Sequence, residues 1–459
     1  MRNLAIPAAV AAVMASASVS AADVNLFISG ASAQRTFWQN DLNANICKGN
    51  AMTTYKVVTE SGPAPDNQAS RCLAKAAGLP ALPANINDGD RVTLYYSAEL
   101  GSIWGIAPFL AGHNTSRLFV NPDSADCSGT NCTIASYNVA AETFVGKTGG
   151  TGDGLISQVP NIGVTDLEPA KWLNTNPQNW PSGFSGVGSQ PSSLGSYGTA
   201  SQVVNGQLFT VIVNSNSPLT AGGTKKNIST ASARAIFTGK YKTWGQVPEV
   251  GGGDATNIVV CRRDRGSGTQ VAASIYFGGK ECGVPQAAAI VDVGSKGALN
   301  ADPVINNSTA DLAGCVGGDT GAIGFRSLGS AANTTILTLD DIEANAHNAS
   351  AGMYPYAFDT FAFDNTGASS ASAAAVSLWT ALRNDARKAS ALPAELGSQG
   401  TDGQWVSSGG AKGNYALPVL GYGNTSNITN WKTTAQGPTA LGYRGGESCA
   451  TQKNANSAL

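Results

Sequence analysis

NIVVCRRDRGSGTQVAASIYF, Asn257 to Phe277, passes from strand to glycine turn to helix, and its reading decides the fold. Ile258, Val259 and Val260 form an apolar β-branched run of the kind a buried strand uses. Charge and turn residues follow from Arg262 to Gly268. Val271, Ala272 and Ile275 then return at helical spacing, so a helix is predicted to start near Ser267 or Thr269, both able to cap it. The first turn of a helix leaves backbone N–H groups without intrahelical partners, and the helix dipole adds positive charge there. Gly266 and Gly268 permit close backbone approach, the hydroxyls of Ser267 and Thr269 can donate, and Arg263 offers a planar fork for two anion oxygens. The stretch reads as an oxyanion cradle. It reads equally as a plain turn with its cap, and the glycine-serine run by itself does not choose between the two.

Four other segments bear on that choice. The run RRDRGSGT, Arg262 to Thr269, resembles the Arg-Arg-x-Asp-Gly-Ser-Gly-Thr signature of the periplasmic phosphate-binding proteins of ABC uptake systems. IFTGKYKTW (Ile236 to Trp244), GAIGF (Gly321 to Phe325), LFISGASAQRTFW (Leu26 to Trp38) and GVTDLEP (Gly163 to Pro169) resemble further elements of that family in the same chain order. The resemblance spans most of the chain, with a long insertion. It implies an α/β, two-lobed type II periplasmic binding protein fold with a hinge and an interlobe cleft, plus a disulfide-containing insertion.

The ligand set follows from the same resemblance. Backbone N–H groups near Ala33, Gln34, Gly268 and Thr269 and hydroxyls of Ser61, Thr165, Ser267 and Thr269 would surround a tetrahedral oxyanion. Arg263 would supply the counter-charge. Asp166 would accept a proton carried by the ligand, which is how the family separates phosphate from sulfate; taken alone, Asp166 is equally suited to cap a helix. The chain departs from the family pattern in two places. Arg265 stands where the family has the aspartate that pairs with the ligand-binding arginine, with Asp264 one place earlier, and Gln34-Arg35 replaces Thr-Phe. The extra positive charge at Arg265 widens the range of anions expected.

Arg2, an apolar run from Leu4 to Met14 and small residues through Ala22 read as a secretory signal peptide, residues 1–22. The run is too short for a membrane span, and no cysteine lies beside the expected cleavage point, so a freely diffusing periplasmic or secreted product is expected. Lobe I would take residues 23–210 with an insertion at about 63–154, lobe II residues 211–355, and a second part of lobe I with a tail residues 356–459. A net charge of −2 argues against nucleic acid or an anionic membrane as partner.

Eight cysteines behind a signal peptide favour disulfides over metal, with Cys127 and Cys132 close enough to close a small loop and Cys47 with Cys72 plausible by position. The two histidines, His113 and His347, lack metal-ligand spacing, so neither metal nor cofactor is expected. The insertion suits either an elaboration of one lobe or a docking surface. Within it FVGKTGG, Phe144 to Gly150, lacks the first glycine of a P-loop, having Ala141 there. An enzyme is not expected, since Ser267 lacks the G-x-S-x-G elbow of a hydrolase. Capture of phosphate or a related oxyanion by a monomer, delivered to a separate ABC permease, is the expected function. The alternative is an envelope or extracellular interaction protein with an altered pocket on the same scaffold.

Overall fold

The computed structural model describes most of residues 21–386, the longest gaps being 173–200 and 279–304, and beyond 386 only short strand pairs. Residues 1–20 of the expected signal segment, Asp264, Arg265, both histidines, Cys282, Cys449 and most of the tail lie outside the described residues.

Strand β1 (Asp23–Gly30) alternates its side chains between two faces of a sheet. Val24, Leu26 and Ile28 enter the main core, while Phe27 joins a second cluster with Tyr95 and Phe119 on the opposite face. Helix α1 (Arg35–Asn45) follows, and its period places Trp38 and Leu42 in the main core. Strands β2 (Thr53–Thr59), β3 (Asn67–Leu73) and β4 (Arg91–Ser97) pair antiparallel in succession. β4 then lies parallel to β1 from Asp23↔Arg91 to Ser29↔Ser97. It is therefore a central strand, although it falls inside the stretch 63–154 that the sequence sets apart as an insertion.

Four more strands complete that stretch, β5 (Arg117–Val120), β6 (Cys127–Ser128), β7 (Asn131–Asn138) and β8 (Thr143–Gly146), and β9 (Leu155–Gln158) follows it directly. β7 extends the sheet beside β2, and β5 pairs with β9 above the second apolar cluster. In FVGKTGG, β8 runs into a turn where Thr148 donates to the Glu60 carboxylate, with no helix following. On the other side of β1, β10 (Ile162–Thr165) runs parallel to it.

The chain crosses to the second lobe in β11 (Gln202–Asn214). Lobe II then adds β12 (Asn227–Ile228), helix α2 (Thr230–Phe237), β13 (Val259–Arg263), helix α3 (Gly268–Gly278), β14 (Ile305–Asn306), helix α4 (Thr309–Gly318), β15 (Ala322–Ser327), β16 (Thr334–Ile336) and β17 (Thr338–Leu339). The return crossing is β18 (Ala357–Asp364), and α5 (Ala373–Ala386) packs Trp379 against Trp38. β11 serves both lobes: its first half pairs with β18, and Phe209 to Val213 pair with β15. Two lobes joined by two crossing strands result.

Helix α2 is capped by Ser229, whose Oγ accepts the Ser232 N–H at 3.1 Å. It stops at Phe237, because the chain turns through Gly239 at φ +75°. Cys47–Cys72 and Cys127–Cys132 are bonded as the sequence suggested. A third disulfide, Cys261–Cys315, ties β13 to α4. Among the described residues no helix is long and apolar enough to cross a membrane.

Candidate functional site

Because β4, β1 and β10 run parallel, their C-terminal ends lie together and the loops after them share one rim. Asp166 follows β10 directly and is 2% exposed. Ser102 sits in the 3-10 turn Gly101–Gly105 that follows β4, and its hydroxyl donates to Asp166 Oδ2 at 2.8 Å. The other oxygen, Asp166 Oδ1, is buried with no hydrogen-bond partner. Burial pushes the carboxyl up from its ordinary 3.8 to about 6, opposed by the Ser102 hydrogen bond and the positive charge of Arg263.

The facing wall is the turn into α3. A Cβ on Gly268, the first helical residue, would stand 2.5 Å from Ser102 Oγ and 2.7 Å from Asp166 Oδ2. Only glycine lets this helix N-terminus come so near the carboxylate. Gly266 is left-handed at φ +90°, and its carbonyl accepts the Ile103 N–H at 2.9 Å, so the two walls are joined directly by backbone. Ser267 is buried, with Oγ accepting the Gln270 N–H at 3.4 Å, and Thr269 is buried in the first helical turn. Arg263 ends β13 with 2% exposure. Its backbone N–H donates to Gln270 Oε1 at 3.2 Å and its Nη1 to Thr309 Oγ1 at 3.0 Å. The arrangement offers an anion helix N–H groups and hydroxyls in a buried site, with a charged fork nearby and an acceptor able to take one proton.

Asp166, Ser267, Gly268 and Thr269 are thus gathered at one place, with the charge of Arg263 acting on Asp166. Thr165 is buried beside them, its hydroxyl accepting the Trp172 indole N–H at 3.2 Å. Ala33 is buried in the 3-10 turn after β1. Gln34 is otherwise engaged than expected. Its N–H bonds the Ala31 carbonyl, and its side chain donates to Gln207 Oε1 at 3.0 Å and Thr360 Oγ1 at 3.3 Å, one on each crossing strand.

Ser61 is a correction. It is exposed, with its hydroxyl directed at the Ala135 carbonyl, in the bend just after β2, a strand separated from β1 by β3 and β4. The reason is topological: the β2–β3 hairpin moves outward and β4 takes the place beside β1, so the hydroxyl at the rim is that of Ser102. The sequence carries a signal for this in the strand-like RVTLYYSAEL followed at once by Gly101 and Ser102. Among the described residues no cluster of His, Cys, Asp and Glu could hold a metal ion.

Residues 201–382 match the family model of the PBP superfamily domain. That stretch, under half of the chain, is similar to the superfamily's domain. Its crossing strands and the whole of the described lobe II fall within the match. Among curated proteins none matches the chain. Solved structures similar to it include an ABC-type phosphate transport receptor from Vibrio cholerae, 18% identical with a TM-score of 0.29, the match covering 40% of this chain and 66% of that one. PstS from Borrelia burgdorferi is 17% identical with a TM-score of 0.30, covering 42% and 67%. A high affinity periplasmic phosphate-binding protein bound with phosphate is 13% identical with a TM-score of 0.36, covering 74% and 94%. The chain thus spans just under two thirds of the length of the first of these.

Proposed function

We propose that this chain is an exported solute-binding protein that captures a tetrahedral oxyanion, phosphate, in the cleft between its lobes. The observation that carries the reading is Asp166. One oxygen of a fully buried carboxylate accepts from Ser102 and the other has no partner, directly before the N-terminus of α3. A helix N-terminus favours an anion and a lone carboxylate oxygen favours a proton donor. Phosphate that retains a proton meets both demands at once; sulfate meets only the first. Charge-assisted hydrogen bonds of about 1.5 to 3 kcal/mol each account for tight capture without any bond being made or broken. The protein then works as a receptor rather than an enzyme, in the periplasm, handing its ligand to a separate permease.

Calorimetric titration of the chain from Asp23 onward with phosphate and with sulfate, at pH 5 and pH 8, tests this. Phosphate binding weakened by both Asp166→Asn and Arg263→Ala is the expected outcome. Protein freed of carried-over ligand that gives no heat with either anion would overturn the reading.

A further inference from the structure

The turn that brings Ser102 to Asp166 is an unfavourable piece of backbone. Leu100 and Gly101 are both left-handed, at φ +61° and +79°, and the first is not glycine. Such a conformation persists only where its surroundings over-determine it. One end of the turn is held from β1, where Ser29 Oγ donates to the Trp104 carbonyl at 2.7 Å. The opposite brace comes from β5, far along the chain. Arg117, 1% exposed, places its guanidinium 3.7 Å from the centroid of the Trp104 ring and donates through Nη2 to the Glu99 carbonyl at 3.1 Å. Glu99 and Trp104 flank Leu100 to Ile103 on either side. A single buried side chain therefore grips both ends of the segment that supplies the Ser102 hydroxyl and the Ile103 N–H that meets Gly266.

We infer that Arg117 is a positioning residue for the anion site, acting through the turn Glu99 to Trp104, and that this is a task of the strands added between β4 and β10. A planar fork that also stacks on an aromatic ring can fix two points of a loop at once, which a lysine or an apolar side chain of equal length does not do. The inference rests on the oxyanion reading for its effect on affinity, and on geometry alone for its effect on the turn.

The two consequences are separable. In ligand-free protein, Arg117→Met should speed amide hydrogen exchange at Gly101 and Ile103 about tenfold while β1 and β13 keep their protection. With phosphate, the same variant should bind about tenfold more weakly, and most of that loss should vanish when Ser102→Ala is already present, because the two act through one loop. Arg117→Lys, which keeps the charge and loses the fork, should fall between wild type and Arg117→Met and serves where the latter does not fold. Unchanged exchange across Glu99 to Trp104 in both variants overturns the inference. So does an affinity loss that persists in full on the Ser102→Ala background. Wild-type protein that binds no oxyanion would instead sink the proposed function, with the exchange measurement still deciding whether Arg117 holds the turn.

Discussion

The two walls of the cleft are built in opposite ways. The wall in lobe II is one continuous piece of chain, Arg263 to Gln270, in which a strand end, a left-handed glycine and a helix N-terminus follow one another. The wall in lobe I is assembled from three strand ends, with Asp166 after β10, Ser102 after β4 and the Ala33 turn after β1. The first depends on local turn and cap chemistry, the second on which strands lie side by side. A local wall survives changes elsewhere in the fold, whereas an assembled wall is only as good as its sheet register.

The largest test of this contrast removes the charge on the local wall. Arg263→Ala should weaken phosphate binding by about 2 to 5 kcal/mol, since it leaves a desolvated anion without its cation. Affinity close to wild type would mean that the helix N-terminus alone carries the anion. The brace behind that wall comes next. The Cys261–Cys315 bridge closes a loop with a sequence separation of 54, and replacing both cysteines by alanine should lower unfolding stability by about 4 kcal/mol. The Cys127–Cys132 bridge, with a separation of 5, should cost about 2 kcal/mol by the same comparison in denaturant.

The assembled wall carries a pH signature that the local wall lacks. Burial holds the Asp166 carboxyl up at about 6, so the folded state favours the protonated form. The stability this contributes is complete below the ordinary value of 3.8 and is lost as pH rises through about 6. Asp166→Asn should therefore stabilise the ligand-free protein by about 3 kcal/mol above pH 7 and by almost nothing below pH 4, read from melts across that range. A gain of equal size at both ends would show that desolvation of the carboxylate is not its cause. In the wild type, sulfate should gain affinity as pH falls through about 6, because a protonated Asp166 donates where the carboxylate could only accept.

The smallest effect separates two serines. Ser102→Ala should cost about 1 kcal/mol of phosphate affinity, the worth of one hydrogen bond, and Ser61→Ala nothing measurable. A loss at Ser61 would mean that the register of β4 against β1 is not what sets the rim.

The local wall was legible in the sequence because everything it needs is adjacent. Val259 and Val260 mark the strand, Gly266 the turn, and Val271 and Ile275 the face of the helix, so one stretch fixes the geometry of its own strand, turn and helix N-terminus. Asp166 was legible for a similar reason, standing at the end of an apolar strand in GVTDLEP. Ser102 was not. Tyr55 to Val58 and Val92 to Tyr96 are both apolar, strand-forming runs, and nothing local says which of them will pair with β1. The side-chain partners of Gln34 were not legible either, since the crossing strands that hold it lie far from it along the chain.

By itself the sequence determined the alternation that makes β1 two-faced, the strand–turn–helix cradle and the disulfides whose cysteines lie near one another along the chain. Those features follow from side-chain period, backbone freedom and loop length, which are properties of neighbouring residues. Tertiary structure alone decided that β4 stands beside β1, that the Ile103 N–H meets Gly266 across the cleft, and that Cys261 reaches Cys315. These are choices among partners that the local chain permits equally, and they are settled by the burial and hydrogen bonding of the whole sheet at once.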